Sequence, residues 1–194
     1  MVVQPRSVLL HGIDMPPLII ASDGRQDETS PPSIAALLYD PVGDRKVAVA
    51  AEISSELMTV CGNSEHCIAL VEQAALVLGI TSFQSLIRGR SLLWFEDNSA
   101  VLSSLVKGAS SHPLLDAGNA TIHLMLASLQ ARAWFEYVES DANWSDGASR
   151  LLSADPWVRA NDFALSMGSV PAWPWLAQGT QRLENISKVL NTQI

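Results

Sequence analysis

Four acidic residues stand where a carboxylate could do chemistry. Asp23 follows the apolar run Leu18-Ile19-Ile20-Ala21 with only Ser22 between, and Asp97 directly follows the run SLLWFE. A strand that ends on an acid presents it where α/β sheets bind ligands, just beyond the strand ends. Glu72 falls on the apolar helical stripe Ile68, Val71, Ala75, Leu78, with Leu70, Ala74, Leu76 and Val77 beside it. Burying an unpaired charge costs several kcal/mol, on the order of a domain's whole stability, so Glu72 needs a cation or a proton. The two preceding strands offer only Arg45 and Lys46. Asp146 lies in the turn-rich segment NWSDGASR. If the four converge, like charges at about 4 Å repel by roughly 4 kcal/mol at an effective dielectric near 20, and bound cations must offset that. Carboxylate oxygens are hard ligands that suit Mg²⁺ or Mn²⁺ rather than zinc. Two such ions about 4 Å apart can activate water and stabilise the leaving oxygen in phosphodiester cleavage.

Each acid also has an ordinary use. Asp23-Gly24 is turn chemistry. Asp97 could cap a helix beginning at Asn98. Glu72 could sit at a helix edge and reach water along its own stem, and Asp146 could be an N-cap or part of an Asp-Gly turn.

The elements that would position these residues follow from periodicity. Residues 18–21, 34–39 and 46–53 read as three strands of an antiparallel meander, with Asp40-Pro41-Val42-Gly43-Asp44 as a turn. Residues 64–78 read as a helix, capped by Asn63 or Ser64 and stopped by Gly79. A strand over 91–96, a helix over 98–107 ended by Gly108, a helix over 116–132 and a strand over 134–139 follow. Three leading strands and then alternating units predict an α/β mixed sheet of five strands with helices on both faces. Residues 1–17 form a lead-in, 18–152 the domain, and 153–194 a Trp/Pro-rich tail with a short helix near 180–191.

Composition narrows the function. The chain has 194 residues, 48% hydrophobic and 16% charged, which excludes disorder over most of its length. Twelve basic against 20 acidic residues give a formal charge of −8, so a basic coat for nucleic acid or membrane is absent, although a local groove can differ. Two cysteines, Cys61 and Cys67, fit a reducing compartment. With no signal peptide and no apolar run as long as about 18 residues, an intracellular setting (cytoplasm or nucleus) and no membrane are expected.

The stretches LIIASDGR, IALVEQAALVL, LLWFEDNSAVLSSLVKG and FEYVESDANWSDGASR together resemble a ribonuclease H domain of the retrotransposon reverse-transcriptase type, over residues 18–152. The last two carry most of the likeness: a hydrophobic strand followed by Asp-Asn-Ser-Ala, and a segment ending Asn-x-x-Asp-x-x-Ser-Arg. The resemblance implies metal-dependent hydrolysis of the RNA strand in an RNA–DNA hybrid, with two Mg²⁺ or Mn²⁺ ions held by Asp23, Glu72, Asp97 and Asp146. In that scheme Asp23 bridges both ions, Glu72 and Asp97 hold the one on the attacking-water side, and Asp146 helps hold the other. Ser22, Gly24, Asn98 and Ser99 would line the site and meet substrate ribose. Arg150 would touch phosphate or pair with a helix acid. A reverse-transcriptase polymerase domain is the implied partner.

Two departures bear on activity. The loop before the last acid, Ser140-Asp141-Ala142, lacks the His of many cellular relatives, which implies slow turnover. The basic protrusion is missing as well, since residues 107–119 hold only Lys107 and His112 as cationic types. Phosphate contacts dominate nucleic-acid affinity, so the chain alone should bind weakly. The alternative function is a catalytically weak or inactive scaffold module in a larger assembly. An exonuclease of the same superfamily usually begins Asp-x-Glu, whereas this chain has Asp23-Gly24-Arg25.

Overall fold

The computed structural model describes residues 15–27, 30–62 and 67–191. In chain order the strands and helices are β1 (Leu18–Arg25), β2 (Ser33–Asp40), β3 (Arg45–Glu52), α1 (Ser55–Cys61), α2 (Cys67–Ser82), α3 (Gln84–Ile87), β4 (Ser91–Glu96), α4 (Ser99–Lys107), α5 (Pro113–Ser128), β5 (Arg132–Tyr137), α6 (Asp146–Leu151), α7 (Pro156–Ala160), β6 (Ala164–Met167), α8 (Trp173–Leu176) and α9 (Gly179–Asn191). The expected helix caps Asn63 and Ser64 lie outside the described residues.

The sheet order is β5-β4-β1-β2-β3-β6. β1, β2 and β3 form the antiparallel meander, and β1–β4, β4–β5 and β3–β6 pair in parallel. β2 (SIAALLYD) is buried on both sides, which is why it reads as one continuous apolar run. Ile34, Ala36 and Leu38 face the larger core, against α2, and residues of α4 and α5 belong to the same core. Ala35 and Leu37 face a smaller one with Ala48, Ala50, Ala148 and Val158, beneath α6 and α7. The fold is therefore mixed α/β with helices on both faces.

Gly79 does not stop α2, which runs on to Ser82. A Cβ at Gly79 would lie 3.0 Å from Ala36 Cβ and 3.1 Å from Trp94 Cη2, so the glycine lets the helix press onto the sheet. Thirteen of its 16 residues are buried, Glu72 and Gln73 among them, and this helix forms the centre of the larger core.

The sheet has six strands rather than the expected five. The sixth, β6, comes from the stretch read as a tail: Val47 to Ala50 of β3 pair with Ala164 to Met167. Four residues are too few for a two-residue alternation to stand out. The rest of that stretch is packed on the helices. Trp175 is buried and donates its indole N–H to Gln73 Oε1 at 3.2 Å, and Thr121 Oγ1 donates to Pro174 O at 2.9 Å. The last strand of the parallel half also sits two residues earlier than predicted, at Arg132–Tyr137, because its register with β4 pairs Ser91 with Arg132.

Candidate metal centre

β1 and β4 run side by side until Ala21 lies opposite Phe95. There the strands part, and the next residues of each carry the acids. Asp23 is inside β1 rather than after it, because the pairing with β2 continues past it, with Ala35 opposite. Asp97 follows the last residue of β4. Asp23 is buried, and its Oδ2 accepts the Ser149 hydroxyl from α6 on the other face of the sheet. Ser149 Oγ also lies 2.8 Å from Asp146 O, and Ser149 O accepts the Ser33 hydroxyl at 2.5 Å.

Glu72 arrives from α2. Its Oε2 accepts the backbone N–H of Gly24 at 2.7 Å. The approach needs a glycine, since a Cβ at position 24 would lie 2.9 Å from both Glu72 N and the Val71 carbonyl carbon. Oxygens of Asp23, Glu72 and Asp97 all lie within 4.8 Å of one another. Three acids that the chain separates by 49 and 25 positions thus meet at one point, which requires the strand–helix–strand arrangement and nothing local.

Burial is the main force on Asp23 and Glu72. It pushes the Asp23 carboxyl up from 3.8 to about 6, with the Ser149 hydrogen bond pulling the other way and the charges of Asp97 and Asp146 adding to the rise. It pushes Glu72 up from 4.5 to about 11, assisted by the charges of Glu96, Asp23 and Asp97 and opposed by the Gly24 N–H. The basic partners that the sequence offered are elsewhere: Arg45 and Lys46 lie opposite Asp40 and Tyr39 in the strand register, at the far end of the meander. Glu72 is thus surrounded by acids, so a proton or a bound cation must neutralise it. The donors are all hard oxygens, and a divalent ion such as Mg²⁺ or Mn²⁺ fits that set.

Asp146 is in the first turn of α6 and stands apart from the three. Its Oδ1 accepts Arg150 Nε at 2.8 Å and lies 2.8 Å from Arg150 Nη2, an i,i+4 ion pair, while its charge still bears on Asp23. Arg150 therefore takes the helix-acid alternative. Asn143 pins the segment leading to α6: its Nδ2 donates to Ser22 O at 3.0 Å, and its Oδ1 accepts the Ser145 N–H and hydroxyl at 3.1 and 2.6 Å.

The expected substrate-lining residues take varied places. Ser22 is fully buried, with its hydroxyl between Trp94 Nε1 at 2.9 Å and Glu96 Oε2 at 3.3 Å, so it faces the core instead of an open site. Gly24 is the contact between β1 and α2. Asn98 caps α4, its Oδ1 accepting the N–H groups of Ala100 and Val101 at 3.1 Å each. Ser99 opens α4 and is exposed. The sequence assigns no site role to three residues at the centre: Glu96, and Asn143 and Ser149, which stand in the Asn-x-x-Asp-x-x-Ser-Arg motif. Glu96 alternates with Leu92 and Trp94 in SLLWFE, and that alternation was the available signal that it points inward.

No family model matches the sequence, and no curated protein matches it. Among solved structures, the chain is similar to LC11-RNase H1, a ribonuclease H solved in complex with an RNA/DNA hybrid. The TM-score is 0.50 at 14% sequence identity, covering 65% of this chain and 88% of that one. It is also similar to the N-terminal ribonuclease H domain of a Mycobacterium tuberculosis protein, solved as a fusion with maltose-binding protein. There the TM-score is 0.48 at 16% identity, covering 71% and 98%. The likeness to LC11-RNase H1, together with the sheet order above, gives this chain a ribonuclease H-like fold.

Proposed function

We propose that this chain is a divalent-metal-dependent nuclease that cleaves the RNA strand of RNA–DNA hybrids. The observation that carries this is the convergence of Asp23, Glu72 and Asp97 within 4.8 Å, two of them buried, in a setting of acids. A cluster of that kind is unfavourable for stability alone, and a cation site accounts for it. The ribonuclease H-like fold supports the choice of substrate, together with the sequence motifs on which the four acids lie.

Asp23, Glu72 and Asp97 would hold the ions, with Asp23 touching both and Asp146 helping with the second. When bound, two divalent ions activate the attacking water and offset charge on the leaving oxygen. The chain's own groups prepare the site. Gly24 N–H orients the Glu72 carboxyl, and the Ser149 hydroxyl orients that of Asp23, so each acid keeps an oxygen for a ligand. Asn98 and Ser99, at the start of α4 beside Asp97, would meet a ribose hydroxyl. The motifs further favour the reverse-transcriptase-associated type, with a polymerase domain as partner to supply the phosphate contacts this acidic chain lacks.

A scaffold role without catalysis is the second possibility, and the Asp146–Arg150 ion pair is what favours it. A labelled RNA–DNA hybrid with Mg²⁺ separates the two, comparing the parent chain with Asp97→Asn. The nuclease predicts cleavage by the parent and its loss in the variant. Equal products from both would remove the proposal. Among the described residues no helix is long and apolar enough to cross a membrane.

A further inference from the structure

Glu96 is the last residue of β4 and has no exposed surface. A buried acid beside three others is an expensive occupant of a position where an apolar or hydroxyl side chain would pack. Its hydrogen bonds give it a task. Oε1 accepts the backbone N–H of Asn98 at 3.3 Å, reaching across Asp97. Oε2 accepts the Ser22 hydroxyl at 3.3 Å, and the same hydroxyl oxygen accepts the Trp94 indole N–H at 2.9 Å. Ser22 immediately precedes Asp23, and Asn98 immediately follows Asp97. One carboxyl thus grips the chain neighbour of each of two metal-facing acids. It does so one residue beyond Ala21 and Phe95, where the backbone pairing of β1 and β4 stops.

We propose that Glu96 is a positioning residue of the candidate centre, tying β1 to the turn after β4 and so setting the separation of Asp23 and Asp97. This rests on the proposed metal-dependent function. Glu96 is not itself an ion ligand in this scheme, because its two oxygens already serve the Asn98 and Ser22 donors. A glutamine has the same shape: its Oε1 can accept the Asn98 N–H and its Nε2 can donate to Ser22 Oγ. Alanine can do neither.

The test is Mn²⁺ binding by calorimetry, without nucleic acid, on the full chain and on Glu96→Gln, Glu96→Ala and Ser22→Ala. Loss of an outer partner of a metal ligand typically weakens binding by about 10- to 100-fold. Glu96→Ala is expected to weaken Mn²⁺ binding by about that factor, and Glu96→Gln to restore most of it. Ser22→Ala cuts one of the two ties and keeps every acid, so it is expected to fall between them. It also stands in if Glu96→Ala does not fold. Parent-like affinity in both Glu96→Ala and Ser22→Ala would overturn the positioning role. A loss in Glu96→Gln as large as in Glu96→Ala would overturn it too, marking Glu96 as a ligand. Failure of the parent chain to bind Mn²⁺ would instead overturn the function on which the proposal rests.

Discussion

The backbone N–H of Gly24 donates to Glu72 Oε2 at 2.7 Å, so the residue after Asp23 holds the acid that must meet it. The strand that carries one acid thereby orients the helix that carries another. Because the contact is backbone against helix, the position has no room for a side chain.

Gly24→Ala should therefore disturb both fold and site. The new Cβ would sit 2.9 Å from two backbone atoms of α2, and neither strand nor helix can yield without moving its acid. Overpacking of this kind costs about 1–3 kcal/mol. Urea denaturation should show that loss, and a Mn²⁺ titration should show weakened binding. Gly43→Ala, where nothing lies within 4 Å, is the control and should leave both unchanged. A Gly24→Ala chain with parent stability would mean that β1 and α2 are farther apart than described.

The buried acids also fix how stability depends on pH. Asp23 and Glu72 rise on folding from 3.8 to about 6 and from 4.5 to about 11. The folded chain then holds more protons than the unfolded chain between these values, so stability falls as pH rises. The contribution is complete below the unfolded values. Asp23 has lost its share by a pH of about 6, and Glu72 goes on losing its share toward about 11. Melting points of the metal-free chain should drop from about pH 5 to about pH 8, and Mg²⁺ should raise the melting point more at the upper end. Binding should also release protons, visible as a buffer-dependent heat in calorimetry. A flat melting profile would remove the buried, protonated acids from the account.

How far this could be read from the sequence depended on the range of the interaction. Asp23, Asp97 and Glu72 were legible because each stands against an apolar pattern, a strand end or a helical stripe, that local periodicity reveals. Their convergence was not, since it depends on β1 and β4 being neighbours. Glu96 is hidden for a related reason: it stands beside Asp97 at the strand end, and only its alternation with Trp94 shows that its side chain turns inward. Gly79 looked like a helix stop because its use is a contact with Ala36 and Trp94 from distant strands. β6 has four residues and is defined by its pairing with β3.

Asp146 should matter less to metal binding than Asp97. It is outside the 4.8 Å cluster and engaged by Arg150. Mn²⁺ titrations of Asp97→Asn and Asp146→Asn should show the larger loss in the former. The ion pair itself is solvent-exposed, so Arg150→Ala should change stability by no more than about 0.5 kcal/mol. Equal losses of Mn²⁺ in the two Asp variants would show that Arg150 releases Asp146 when an ion binds.

The C-terminal stretch should prove part of the domain's stability rather than an appendage. Trp175 is 4% exposed, and its indole N–H satisfies Gln73, the residue next to Glu72 on α2. Gln73 Nε2 in turn donates to Leu115 O at 3.0 Å and Asn119 Oδ1 at 2.8 Å on α5. Removing the indole leaves a cavity and takes a donor from a buried amide oxygen, and truncating a buried Trp costs about 3–5 kcal/mol. Trp175→Ala should lower the urea midpoint accordingly. A chain ending at residue 152, which also lacks β6 and α9, should unfold with less cooperativity or fail to fold. If the shortened chain kept the parent midpoint, the packing of Trp175 on Gln73 would contribute nothing to the core that holds Glu72 in place.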